Sequence, residues 1–143
     1  MKLRDILQVK GSHVYTVRPE QTVQEAVALL VQHRIGALLA QDAHGRTVGI
    51  ISERDVLREC VDRSDQLAQI KVRDAMTKDL TVGLPEHDID YTMSVMTEKR
   101  IRHLPVMDRG RLLGMISIGD VVKASLEETA YENRYLKEYI QAR

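Results

Sequence analysis

Phenylalanine and tryptophan are absent and tyrosine occurs only five times, so the chain offers no aromatic platform on which single-stranded bases could stack. A single cysteine, Cys60, excludes an internal disulfide and any cysteine-based zinc cluster. It fits a reducing interior, and a cytoplasmic location is expected. Charge of one sign is missing as well: 21 basic and 21 acidic residues cancel, which leaves no global field to attract nucleic acid or an anionic membrane. Nucleic-acid binding is therefore not expected, and the basic run Lys99 to His103 reads as a local feature. No apolar stretch approaches the about 20 residues that cross a bilayer, and MKLRDILQVKG scatters charges where a secretory signal has an apolar core. Neither membrane spanning nor secretion is expected. His13, His33, His44 and His87 lie apart with no metal-ligand spacing, so no metal is assigned.

What the chain does contain is an internal repeat. VGIISERDVLRE, from Val48, returns as LGMISIGDVVKA, from Leu113. At a spacing of 65, Thr16-Val17 fall on Thr81-Val82, Gly49 on Gly114, Ser52 on Ser117 and Asp55 on Asp120; at 66, Pro19-Glu20 fall on Pro85-Glu86, Arg34-Ile35 on Arg100-Ile101 and Leu38 on Leu104. The lead-ins LRDIL and VRDAM also agree. With 143 residues the chain can bury one sizeable core or two small ones. Each copy reads as a short strand, a helix, two strands and a second helix starting at about Asp55 or Asp120, an α+β pattern. In TVQEAVALLVQHR the residues Val23, Ala26, Val27, Leu30 and Val31 keep helical spacing, and Thr22 with Glu25 forms a capping box. AHGR and RGR read as hairpin turns. The division expected is residues 1–70, 71–127 and a C-terminal helical extension, 128–143.

Ser-x-x-Asp after a strand admits two readings. Ser52 and Ser117 can cap a helix whose third residue is acidic. The same geometry also presents a helix N-terminus to an anion, with an aspartate able to accept two hydrogen bonds from vicinal ribose hydroxyls. A serine for phosphate and an aspartate for ribose would make a nucleotide site.

GIISERD, GMISIGD, RIRHLPVMD and the repeat period closely resemble the cystathionine-beta-synthase (CBS) domain, two of which pair into a Bateman module, and the segments look like stand-alone CBS-pair proteins. The resemblance implies tandem repeats, each a small sheet with two helices, paired about a pseudo-twofold axis with two clefts between them. It implies a sensor and not an enzyme, which binds AMP, ADP, ATP, NAD or S-adenosylmethionine and signals to a regulated protein. Carried over by position, Asp55 and Asp120 would hold ribose hydroxyls and Ser52 and Ser117 would face ribose or phosphate. Thr16, Val17, Thr81 and Val82 would offer backbone groups to adenine. Gly36, Ala37 and Leu38, and Arg102, His103, Leu104 and Pro105, would line base and phosphate. Arg54 resembles a phosphate-contacting arginine, although the second copy has Gly119 there. Lys10 is placed either to reach a phosphate or to sit in a surface turn. The cations Arg102 and His103 assign AMP to the Ser117–Asp120 site, and the smaller walls of the Ser52–Asp55 site suit a longer ligand such as NAD or ATP.

Two rivals stand beside this reading: a protein-binding adaptor with vestigial clefts, and a nucleotide hydrolase using Asp55 or Asp120 as base. Cys60, beside Val56, Leu57 and Val61, reads as a small core residue. In the tail, Tyr131, Tyr135 and Tyr139 recur every four residues beside Leu136 and Ile140, a stripe that suits a homodimer contact or a lid.

Overall fold

The computed structural model describes residues 1–141. The elements, in chain order, are α1 (Leu3–Lys10), β1 (Thr16–Val17), α2 (Val23–His33), β2 (Ala37–Gln41), β3 (Thr47–Ser52), α3 (Glu53–Arg63), α4 (Val72–Ala75), α5 (Ile89–Lys99), β4 (His103–Asp108), β5 (Arg111–Ser117) and α6 (Ile118–Gln141). The last two residues of the expected C-terminal extension lie outside the described residues. The chain forms two compact units: an inner one, Val14–Thr81, and a terminal one that joins Met1–His13 to the chain from Val82 on.

In the inner unit β1 runs parallel to β2, pairing Thr16 with Leu39 and Val17 with Ala40, and β2 runs antiparallel to β3, ending on Ala37 opposite Ser52. The β2–β3 turn is closed by Asp42, whose carboxylate accepts the N–H groups of His44 and Arg46. Val17, Val23, Ala26, Leu30, Leu38 and Ile51 form its core with Ile70 and Val72. The terminal unit pairs β4 with β5 and sets His103 opposite Ser117. Arg109 and Gly110, both at positive φ, make its turn. Its core gathers Leu3, Ile89, Met96, Leu104, Val106, Ile116 and Val121.

The repeat expected a strand at Thr81-Val82, but the terminal unit keeps only a single parallel bridge, between Gly83 and Val106. Gly83 donates to Pro105 and accepts from Met107, at 2.9 Å each, so Gly83 takes the place that Val17 holds opposite Ala40. A side chain there would push on the core, since a Cβ on Gly83 would come within 2.8 Å of the ends of the buried Leu104 and Leu3 side chains. Pro85, two residues on, lacks the donor that a longer strand would need.

The lead-ins exchange partners: α1 packs in the terminal unit and α4 in the inner one. The first amides of each are received by the opposite copy's repeated loop. Leu3 and Arg4 donate to His87 and Pro85, while Val72 and Arg73 donate to Gln21 and Pro19. Four N–H groups that a helix start leaves without partners are satisfied in this way. Both long helices before the hairpins end alike, with Arg34 and Arg100 at φ 55 and the next residue, Ile35 or Ile101, donating back to Leu30 or Met96. This left-handed cap accounts for the repeated Ile, which packs on the core of its own unit in both copies.

Candidate functional site

Each Ser-x-x-Asp stands where a strand passes directly into a helix. Ser52 caps α3: its Oγ accepts the Asp55 N–H at 3.4 Å while the Asp55 carboxylate accepts the Ser52 N–H at 2.8 Å. Ser117 and Asp120 repeat this at the start of α6, at 3.1 and 2.8 Å. The first helical amides are taken as well, Glu53 donating to the Gly36 carbonyl and Ile118 to that of Arg102. The capping reading therefore holds in both copies, and what is left over on each carboxylate separates them.

Asp55 is 2% exposed, and both of its oxygens are occupied. Oδ2 accepts the Ser52 N–H and hydroxyl, and Oδ1 accepts Arg58 Nη1 and Thr77 Oγ1, each at 3.1 Å. Four donors fill roughly the four acceptor positions of a carboxylate. Asp120 is half-buried, and its Oδ2 accepts the Ser117 N–H and Lys10 Nζ, the latter at 2.6 Å. Oδ1 accepts nothing among the described residues. Burial raises the Asp120 carboxyl, but the hydrogen bonds from Lys10 and the Ser117 backbone, together with the Lys10 charge, outweigh it and hold the group below the ordinary aspartate value. Lys10 also donates to the Met115 carbonyl at 2.8 Å. Lys10, Asp120 and Lys123 border a groove of about 490 Å³ between α1 and α6, with Asp5 and Glu127 on its rim.

The remaining expected residues fall into three groups. Val17, Ala37, Leu38, Leu104 and Pro105 are buried, and Val17, Leu38 and Leu104 belong to the two cores, so their side chains are committed to packing. Thr16, Arg54, Val82 and Arg102 are exposed, and Gly36, Thr81 and His103 are half-buried. Thr81 closes the inner unit while Val82 opens the terminal one. The terminal unit thus gathers Lys10, Arg102, His103, Ser117 and Asp120 around one helix start, and the inner unit gathers Gly36, Ser52 and Asp55 around the other. Thr77 and Arg58 were not legible as partners of Asp55. Thr77 follows the VRDAM lead-in, and a repeat does not say on which copy a lead-in packs.

Helix α3 also departs from expectation. Cys60 is half-buried and outside the core, and Leu57 and Val61 are exposed, as is Val31 on α2. An apolar hollow of about 550 Å³ opens between these helices, lined by Val27, Leu30, Val31, Ile35, Val56 and Leu57 among others. Among the described residues no helix is long and apolar enough to cross a membrane.

Comparison with known proteins agrees with the repeat. The CBS domain matches residues 3–62 and 72–127. The chain is 39% identical to the mitochondrial CBS domain-containing protein CBSX3 of Arabidopsis thaliana, over 97% of this chain and 71% of that one. The CBS-domain containing protein ATU1752 from Agrobacterium tumefaciens superposes with a TM-score of 0.85 at 41% identity, covering 87% of this chain and 99% of that one. The CBS domain pair of protein MJ0100, solved with 5'-methylthioadenosine and S-adenosyl-L-methionine, shares the fold at a TM-score of 0.78 and 22% identity, covering 90% of this chain and 98% of that one. The chain belongs to the CBS domain family, with an α+β fold made of two CBS domains in tandem.

Proposed function

We propose that the chain is a regulatory module that binds an adenine nucleotide, AMP first among the candidates, with Asp120 as acceptor for the ribose hydroxyls, and that it signals the occupancy to a partner protein. The observation that carries this reading is Oδ1 of Asp120, which accepts nothing among the described residues and lies half-exposed at a strand-to-helix junction beside Ser117 and Lys10. A carboxylate with one open oxygen can receive a hydroxyl, and the positive end of α6 and the nearby Lys10, Arg102 and His103 favour a phosphate. The adenosine compounds in the MJ0100 structure, which carry no phosphate, support the adenosine part of the ligand. ATP, ADP, NAD and S-adenosylmethionine are the competing ligands. Binding and signalling are the whole of the proposed role, without catalysis. A reducing compartment suits the single cysteine, whether the cytoplasm or, as for the Arabidopsis relative, a mitochondrion.

For the inner copy the structural reading is favoured. A ribose on Asp55 would have to displace more than one of its four donors, so Asp55 acts as the clasp of its own unit, and a second nucleotide there is weaker or absent. The test is a thermal-shift panel with AMP, ATP, NAD and S-adenosylmethionine, in which a true ligand at ~100 times its dissociation constant adds ~2.7 kcal/mol of stability. A flat response to all four leaves the protein-binding adaptor standing.

We also propose a homodimer in which the exposed Tyr131, Tyr135, Leu136, Tyr139 and Ile140 of α6 contribute contact. Truncation after Ser125 is expected to lower the dimer fraction in light scattering, and an unchanged dimer removes the tail from that role.

A further inference from the structure

We propose that Lys10 is a resident counter-ion of Asp120 which the ribose displaces, and that its transfer to the phosphate makes the site choose nucleotides over nucleosides. The inference rests on the reading of Asp120 as ribose acceptor and adds the mechanism of its selectivity. Asp120 Oδ2 is full, with the Ser117 N–H at 2.8 Å and Lys10 Nζ at 2.6 Å, because each carboxylate oxygen has about two acceptor positions. A vicinal diol that engages both oxygens must displace one of these two donors, and the Ser117 N–H is fixed by the helix cap. Only the ammonium can leave. Lys10 is able to do so: it is the last residue of α1, Gly11 follows it at φ 96, and its side chain is 39% exposed.

The displaced charge decides which ligand is accepted. A neutral nucleoside takes Asp120 from Lys10 and offers the ammonium nothing in return. A nucleotide brings a phosphate, which a lysine receives as a mobile point charge. Asp55 has no equivalent of this exchange, since its cation Arg58 shares Oδ1 with Thr77 while Ser52 holds Oδ2.

Calorimetry with AMP and adenosine on the wild type, Lys10→Met and Lys10→Arg tests the exchange. Removing the competitor in Lys10→Met is expected to tighten adenosine about two- to fivefold, the worth of an exposed ion pair. The same change is expected to weaken AMP about tenfold or more, the loss of a hydrogen bond to a charged group. Lys10→Arg, which keeps the charge, is expected to keep the preference for AMP. An unchanged AMP-to-adenosine ratio in Lys10→Met, with AMP binding still dependent on Asp120, overturns the exchange alone. If the wild type binds neither ligand, the nucleotide reading and the exchange fall together.

Discussion

Two aspartates occupy the same position of the repeat, and their neighbours leave them unequally buried and unequally hydrogen-bonded. Asp55 carries four donors in a buried setting, so losing its charge leaves donors without full partners and is expected to cost roughly 1.5–3 kcal/mol. Asp120 is half-exposed with one ion pair, and its loss is expected to cost about 1 kcal/mol or less. Thermal denaturation of Asp55→Asn and Asp120→Asn checks the ranking, with a drop of roughly 5–10 °C for the first and little for the second. Equal losses would show that Asp55 is no clasp. The pH dependence follows from the direction of the Asp120 shift. A carboxyl held below the ordinary value of 3.8 contributes stability that is complete above that value and lost as pH falls through the depressed one. The small gap between wild type and Asp120→Asn is accordingly expected to be level from pH 5 to 8 and to close in stronger acid.

At the scale of elements, the glycine of each Gly-x-x-Ser is set by the lead-in helix that lies on its strand. A Cβ on Gly49 would meet Met76 Sδ at 2.5 Å and the Thr77 carbonyl at 3.0 Å, whereas one on Gly114 would meet the end of the Leu7 side chain at 2.7 Å. Leu7 and Met76 close the matching motifs LRDIL and VRDAM, so the glycines and the lead-ins are one device used twice. Gly49→Ala meets backbone and is expected to cost about 1–3 kcal/mol. Gly114→Ala meets a side chain that can turn and is expected to cost less. Urea denaturation of both variants compares them, and a larger loss for Gly114→Ala would overturn this account of the motif. The elements themselves were legible from local signals: Thr22 does cap α2, accepting the Glu25 N–H at 3.1 Å. The Glu25 carboxylate also accepts from Gln21 and the Thr22 hydroxyl. What periodicity could not give was long-range. Val31, Leu57 and Val61 keep apolar helical spacing yet face outward, and the bonds of Thr77 to Asp55 and of Lys10 to Asp120 join residues 22 and 110 positions apart.

For the molecule as a whole, duplication supplied two copies of one strand-to-helix junction, and the exchange of lead-ins made them unequal. The lead-in in the inner unit brings Thr77, a neutral hydroxyl that completes the hydrogen bonding of Asp55. The lead-in in the terminal unit brings Lys10, whose ammonium is shared between the Asp120 carboxylate and the Met115 carbonyl. An aspartate closed by hydroxyl, guanidinium and backbone is suited to holding a fold together, whereas Asp120, with one ion pair at the surface, contributes less to that task. The identities of Ser52, Asp55, Ser117 and Asp120 were plain in the sequence, but their inequality was not, because it comes from residues outside the motif. Titration calorimetry of AMP into the wild type, Asp55→Asn and Asp120→Ala measures that inequality directly. The tighter binding event is expected to survive in folded Asp55→Asn and to vanish in Asp120→Ala; loss in Asp55→Asn with retention in Asp120→Ala would place the nucleotide on the other copy and refute the assignment.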